Sequence, residues 1–194
     1  GTEPFQMLFN PGIPIPRKVT EITGIDDDTV ADAPLFEQHA EQIRGLLQGA
    51  ICVAHNFPFD RAFLTVEFHR SALVWPEPIA EVDTLDLSIQ RFQGARSHKL
   101  IDLSERLDIT LEGAHRATND AEACGRCFAE MARRFGAPEN LDGLLDWADA
   151  LGRPPENPYL GRGDTGILAF LDGPHLGQPV EHHAVHLQWL TYAR

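Results

Sequence analysis

The chain has 194 residues, 43% of them hydrophobic, which suits one domain of ordinary size with a small appendage and is enough to fill a core. Its 16 basic and 29 acidic residues give a formal net charge of −13, which excludes a broad basic surface for coating nucleic acid. No apolar run approaches membrane-spanning length and the amino end has no signal pattern, so we expect a cytoplasmic protein with no membrane partner.

The first part of the chain predicts a helix, a strand and a second helix. Pro34 suits a first helical turn, and the core-facing stripe that follows ends at Gly49. The members of this stripe are Phe36, Ala40, Ile43 and Leu47. The apolar run Ala50–Ala54 predicts a buried strand, after which a turn at Pro58 leads into a helix that starts near Asp60.

The next part continues the alternation. Ile79–Val82 predicts a short strand, and Ser97 can cap a helix that runs through Leu107. The clearest helix ends before Gly136, and its apolar residues recur at spacings of four and three. They are Ala117, Ala121, Cys124, Phe128, Met131 and Phe135. Strands that alternate with helices predict an α/β layer fold.

Asp60 is the first candidate site residue. It follows the strand predicted at Ala50–Ala54, and open α/β folds tend to bind their ligands at the carboxyl ends of strands. A carboxylate there could face a metal ion. Taken alone, Asp60 fits equally well as a cap that satisfies the N–H groups and the dipole of the next helix.

His115 and Asp120 are the second candidate pair. Asp120 lies off the apolar stripe near the start of the long helix, and His115 lies in the segment that leads into it. Both can therefore project into one cleft. Alone, they read as a loop histidine and an ordinary first-turn acid. Two aspartates and a histidine in this order are parts of a metal-dependent phosphodiester hydrolase, so together they favour a nuclease.

Six segments in order resemble the DnaQ-like 3′–5′ exonucleases of the DEDDh class, the family of the proofreading epsilon subunit of DNA polymerase III. The resemblance runs from Phe5 to about Phe135 and implies a ribonuclease H-like fold, in which a mixed sheet is flanked by helices. The matching segments are 8–16, 19–25, 55–60 with Phe63 and Leu64, 83–85, 97–100 and 115–120.

The resemblance also implies roles for individual residues. Asp60 and Asp120 would bind metal, and His115 would act as the general base. The metal would be Mg²⁺ or Mn²⁺, two ions in a complete site, because hard cations prefer oxygen ligands. The turn Thr23-Gly24-Ile25 would border the terminal nucleotide, although a simple glycine-containing connection explains it as well. Asn56 and Phe59 are predicted substrate contacts.

The family's first motif, an Asp-x-Glu on the first strand, has no counterpart before the segment Phe5–Phe9, which matches a later strand of the family's sheet. Glu3 does not fit the motif, because Pro4 follows it and no strand precedes it. We therefore expect an amino-terminally incomplete form of a longer exonuclease, without the first two strands. With only Asp60 and Asp120 to hold metal, such a chain would bind ions weakly and have severely reduced activity.

Two functions from different classes follow. The first is an exonuclease that removes nucleotides from a single-stranded 3′ end of DNA or RNA, with a polymerase or repair protein as a partner. The high negative charge favours such a small contact. The second is a non-catalytic relative that binds nucleic acid or protein. The joint presence of Asp60, His115 and Asp120 favours the enzyme, because a binding module needs no general base.

The end of the chain is organised differently. We predict an exonuclease domain at 1–137 and an extension at 138–194 with a short helix near Leu141, a linker at 152–166, and a hairpin turning at Asp172-Gly173 before a last helix. His182 and His186 of that helix could bind zinc, but a solvated role is favoured. The three cysteines predict reduced thiols packed in the core.

Overall fold

The computed structural model describes residues 5–110, 117–149, 160–162 and 168–170. They divide between two compact units that alternate along the chain. Unit 1 takes Gly1–Met7, Leu46–Phe57 and Pro76–Gly152, and unit 2 takes Leu8–Gly45, Pro58–Trp75 and Arg153–Arg194.

Helices and short strands follow one another along the chain. Those up to residue 91 are α1 Arg17–Thr23, α2 Asp27–Val30, a 3₁₀ turn Phe36–Gln38, α3 Ala40–Leu47, β1 Ile51–Ala54, α4 Phe57–Arg70, β2 Ala80–Asp83 and α5 Thr84–Arg91. The later ones are α6 Leu100–Arg106, α7 Ala117–Arg134, α8 Leu141–Asp149, β3 Leu160–Arg162 and β4 Leu168–Phe170.

Unit 1 is built on a parallel pair of strands. β1 and β2 pair in register from Ile51 opposite Ala80 to Ala54 opposite Asp83, so their carboxyl ends lie side by side. Helices α5, α6 and α7 contribute the buried side chains that pack with β2. This core consists of Val82, Leu87, Leu103, Leu107, Cys127 and Met131. The predicted α/β class is confirmed, with a small two-stranded parallel sheet among the described residues.

Unit 2 has an aromatic core. Phe36 lies with its ring centroid 5.4 Å from that of Phe9 and 5.6 Å from that of Phe68, both in edge-on geometry. Phe68 is fully buried and also contacts Trp75. Aromatic rings bury large apolar areas. They therefore hold the segment before α1 against the 3₁₀ turn and α4.

The segment Phe5–Phe9 is not a strand, which corrects the prediction. It has no regular secondary structure, and no strand of the described part of the chain pairs with it. A strand is stabilised through its hydrogen-bond ladder, and without one a short apolar segment has no reason to stay regular. The next residue, Asn10, instead donates its backbone N–H to the Pro34 carbonyl at 2.9 Å.

Two predicted helix starts also differ from the observed ones. α4 begins at Phe57 rather than near Asp60, because Asn56 completes the preceding turn in left-handed conformation (φ 73°). Pro58 fits the first turn of the helix, because proline has no backbone N–H and first-turn N–H groups have no partner within the helix. Pro34 lies outside any helix. The apolar stripe predicted after it is divided, with Phe36 in the 3₁₀ turn and its other members in α3.

Ser97 is not the N-cap of α6, because Lys99 occupies that position. Its hydroxyl donates to the carboxylate of Asp102 in the first turn of the helix. Ser97 therefore lies two residues too early to cap the backbone, yet it still holds the start of α6 through a side chain.

The predicted stripe of α7 is confirmed beyond its first turns, because Cys124 and Met131 are buried and Phe128 and Phe135 pack against the core of unit 1. Ala123, Cys124, Cys127 and Met131 are buried, whereas Ala117 and Ala121 are exposed. Alanine buries little apolar area, so the two alanines did not determine which face packs on α6 and β1. All three cysteines are buried free thiols, as predicted.

The described part of the extension contains α8 and two strands. Trp147 and Ala148 of α8 pack against the core of unit 1. β3 pairs antiparallel with β4, so one strand lies within the predicted linker at 152–166. The predicted turn Asp172-Gly173 and the histidines 182 and 186 lie outside the described residues, and the domain boundary at 137/138 stays a prediction.

Candidate active site

The carboxyl ends of β1 and β2 bring polar groups from two segments together. His55 follows β1 and Thr84 follows β2, and the Nδ1 atom of His55 lies 3.0 Å from Oγ1 of Thr84. Thr84 is fully buried, and its hydroxyl donates to the Ala54 carbonyl at 3.2 Å. The Thr84 hydroxyl therefore lies between the ring of His55 and the last residue of β1.

Burial lowers the pKa of His55 to about 4, although a hydrogen bond with the His98 backbone opposes this effect. His55 is therefore neutral at pH 7. His98 is held in turn by Ser88, whose Oγ lies 2.9 Å from Nδ1 of His98. Neither histidine was predicted as a site residue, although each occurs in a segment that matches the exonuclease pattern.

Asp83, the last residue of β2, joins the two segments at this edge. One of its carboxylate oxygens accepts the backbone N–H of Asn56 at 2.9 Å and that of Leu85 at 2.9 Å, and the other accepts the N–H of Phe57 at 3.0 Å. Burial raises the pKa of Asp83 against the effect of these backbone hydrogen bonds. The carboxylate therefore caps α5 and the start of α4.

Asp86 lies three residues after Asp83, in the first turn of α5. Burial and the neighbouring charge of Asp83 raise its pKa to about 7. Sequence reasoning missed both acids. The signal available for Asp83 was its position directly after an apolar strand, the same argument that singled out Asp60.

The predicted metal-binding aspartates belong to different units. Asp60 is exposed in the first turn of α4 and belongs to unit 2. Asp120 is partly buried in the first turn of α7 and belongs to unit 1. His115 lies outside the described residues. The convergence of these three side chains, and their roles, stay predictions.

The predicted substrate contacts have local structural roles. Gly24 is the C-cap of α1 in left-handed conformation (φ 72°), and Thr23 accepts the N–H of Ile25 at 3.1 Å. The ring of Phe59 lies 4.8 Å from that of Phe63, and Asn56 holds the turn before α4. Their contact with a nucleotide stays a prediction.

An ordered series of exonuclease-like segments on an α/β scaffold defines the class of fold. The structure of Exonuclease X in complex with 5′ overhanging duplex DNA has the same fold, ribonuclease H-like, with a TM-score of 0.55 and 22% identity, over 78% of this chain and 82% of that chain. The family model described as exonuclease, RNase_T, matches residues 1–128. The chain belongs to this exonuclease family.

Curated relatives are similar over the same region. The 3′-5′ exonuclease DinG of Bacillus subtilis is 38% identical over 134 residues, which is 69% of this chain and 14% of that protein. The DNA polymerase III PolC-type of Caldanaerobacter subterraneus is 35% identical over 131 residues, 68% of this chain and 9% of that protein. The chain thus spans a small fraction of the length of these relatives.

Exonucleases of this family generally use divalent metal ions. Asp60 and Asp120 offer carboxylate oxygens, the donor type that hard cations prefer. Among the residues that the structure describes, however, no group of three or more His, Cys, Asp and Glu side chains could hold an ion. Asp60 and Asp120 thus have the ligand type that a divalent metal prefers, but the described residues do not by themselves form a metal site.

Proposed function

We propose that this chain carries the exonuclease domain of a 3′–5′ exonuclease, which removes nucleotides from the 3′ end of DNA or RNA. The observation that carries this proposal is the exonuclease family match over residues 1–128, a region that includes Asp60, His115 and Asp120 in their expected order. The name of the relative DinG, a 3′-5′ exonuclease, supports the direction of cleavage.

Asp60 and Asp120 supply carboxylate ligands for Mg²⁺ or Mn²⁺ in this proposal, with two ions in the complete site. Bound divalent ions would neutralise the charge that grows on the phosphate and lower the pKa of the attacking water. His115 would accept the proton of that water, because imidazole has an unperturbed pKa of about 6.5 and is largely neutral at physiological pH.

The relatives suggest the setting of this activity. PolC-type relatives are DNA polymerases and Exonuclease X was solved with DNA, so we propose a nucleic-acid 3′ end as the substrate and a polymerase or repair protein as the partner. The three free thiols support a reducing compartment, the cytoplasm.

The test uses the purified full-length protein and single-stranded DNA or RNA labelled at the 5′ end. With Mg²⁺ or Mn²⁺, we expect products that shorten one nucleotide at a time from the 3′ end. A chelator should abolish them. His115→Ala should lower the rate about 100-fold or more, as expected for loss of a general base, and Asp120→Ala at least as much.

Asp142→Ala is the matched control, because Asp142 is also a first-turn acid, at the start of α8. It should leave the rate within about twofold of wild type, as expected for an exposed residue outside the site. Cleavage that persists in chelator or in Asp120→Ala would contradict the proposed mechanism. Binding of the strand without any cleavage by the wild type would support a non-catalytic relative instead.

A further inference from the structure

A loop of unit 1 carries positive charge in an otherwise acidic chain. Residues 92–99, which connect α5 to α6 and are called the basic loop below, contain Arg96 and Lys99 and no acid. Both side chains are exposed, and neither forms an ion pair with a carboxylate among the described residues. The first acid after the loop, Asp102, is partly buried and accepts the hydroxyl of Ser97. The charge that this loop presents to solvent is therefore positive.

The basic loop is attached to the carboxyl ends of both strands of unit 1. The backbone of His98 forms a hydrogen bond with the ring of His55, which directly follows β1. Nδ1 of His98 lies 2.9 Å from Oγ of Ser88, in the helix that begins directly after β2. These contacts hold the loop beside the edge of the sheet at which open α/β folds tend to bind their ligands.

Helix α7, which carries Asp120 in its first turn, reaches the same edge. Sγ of Cys124 lies 3.3 Å from Oγ1 of Thr84, the first residue after β2. Asp120 precedes Cys124 by four residues, which is about one helical turn. Asp120 and the basic loop both belong to unit 1, so the proposed metal ligand and the two exposed cations lie towards one edge of its sheet.

The backbone of the basic loop is held by further hydrogen bonds. Ala95 donates its N–H to the Phe92 carbonyl at 3.0 Å, which closes a turn. The carbonyl of Ser97 accepts Nη2 of Arg106 at 2.9 Å. Lys99 is the N-cap of α6, yet its side chain makes no capping hydrogen bond. A loop that is already ordered loses less conformational entropy when it binds a partner.

We propose that Arg96 and Lys99 bind phosphates of the nucleic-acid strand whose 3′ end enters the proposed active site. This inference rests on the exonuclease function proposed above. Charge complementarity selects the partner, because guanidinium and ammonium groups with no acid between them match the charged backbone of a strand. Phosphate contacts position a strand without reading its bases, so the contact is independent of sequence.

Strand binding tests the loop directly. The full-length protein is kept in chelator, so that neither metal binding nor cleavage contributes to the signal. The probe is a 5′-labelled single-stranded DNA of about 12 nucleotides, followed by fluorescence anisotropy at several salt concentrations. The loop variant carries Arg96→Gln and Lys99→Gln.

The matched control carries Arg70→Gln and Arg133→Gln. These two arginines are exposed in the last turns of α4 and α7, away from the helix starts that carry Asp60 and Asp120. Both double variants lose two positive charges. A difference between them therefore reports the position of the charges and not the net charge of the protein.

We expect the loop variant to bind the strand about tenfold or more weakly than the wild type at about 50 mM salt. The slope of the logarithm of affinity against the logarithm of salt should be shallower by about 1.4, because two contacts with a single strand are lost. The control should stay within about threefold of the wild type, because screened charges far from the strand contribute little. Equal affinities and slopes in the two variants would overturn the proposal. Polyglutamate that competes as well as unlabelled DNA would overturn it in favour of an acidic peptide as the partner.

The melting temperature shows whether the loop variant is folded. If it is not, Lys99→Gln alone decides the question: a slope shallower by about 0.7 supports the contact, and an unchanged slope overturns it. Wild-type cleavage from the 3′ end with unaffected strand binding by the loop variant overturns this inference alone. Strand binding that depends on the loop, without cleavage in Mg²⁺ or Mn²⁺, supports the contact and overturns the proposed function. A wild-type protein that neither binds nor cleaves a strand overturns both.

Discussion

Asp83 and Asp86 place two carboxyl groups at the start of α5, where the helix dipole favours negative charge. Burial works in the opposite direction and raises the pKa of both, that of Asp86 to about 7. Near pH 6, the carboxyl of Asp86 is therefore protonated in the folded protein and ionised in the unfolded chain. The stability that the Asp86 carboxyl contributes is fully present below its ordinary pKa of 3.8 and is lost as the pH rises through about 7.

Asp86→Asn should remove this dependence. We expect the free energy of unfolding of the variant, relative to wild type, to increase between pH 4 and pH 7 and to level off above. The total should be on the order of 1 kcal/mol rather than the roughly 4 kcal/mol of the full pKa change, because solvent screens a carboxyl that is only partly buried. Urea unfolding at pH 4.5, 6 and 8 measures it. Asp142→Asn, at the start of α8, controls for loss of one acid from a first turn. An equal pH dependence of that control would contradict the assignment to Asp86.

At the scale of elements, most strands and helices follow from apolar periodicity and turn residues. Both β1, predicted from Ala50, and β2, predicted from Ile79, start one residue later than predicted. The errors concern two whole elements as well as ends and faces: Phe5–Phe9 is not a strand, and β3 lies within the predicted linker. Ser97 was a chemically reasonable cap in the wrong position, and the alanines of α7 could not specify a buried face. Both are decided by packing between elements, which periodicity within one element does not contain.

Leu103 tests the core that α6 shares with β2 and α7. It is fully buried, so Leu103→Ala should leave a cavity and lower the free energy of unfolding by about 2–5 kcal/mol. Ile101 of the same helix is 46% exposed, and Ile101→Ala should cost less than about 1 kcal/mol. Denaturant unfolding measures both. Similar losses for the two variants would mean that the inward face of α6 is assigned wrongly.

At the scale of the whole molecule, charge limits how a nucleic acid can bind. The net charge of −13 repels a polyanion at long range, and the proposed site would contact only a few nucleotides of a 3′ end. Within the described residues, no helix is long and apolar enough to span a membrane. The negative charge favours a short substrate contact over an extended nucleic-acid surface.

Substrate length and salt test this view. Lengthening the single strand from about 6 to about 30 nucleotides should change KM less than about threefold, because no further phosphates are bound. Between about 50 and 200 mM salt, the logarithm of the affinity should fall with a slope shallower than about −2. Steady-state kinetics provides both values. A steep slope, or an affinity that grows strongly with length, would point to a broad phosphate contact that the charge of this chain argues against.

The sequence by itself determined the alternation of helices and strands, the buried cysteines and the ordered exonuclease segments, because these depend on local spacing and residue type. Only the tertiary structure decided that Asp83 receives the first N–H of α4, that His55 is neutral beside Thr84, and that α7 leaves Ala117 and Ala121 exposed. These features depend on contacts between residues far apart in the chain, such as Thr84 with Ala54, 30 positions away, and with Cys124, 40 positions away. Such contacts form only when separate elements pack, and no pattern within a single helix or strand specifies them.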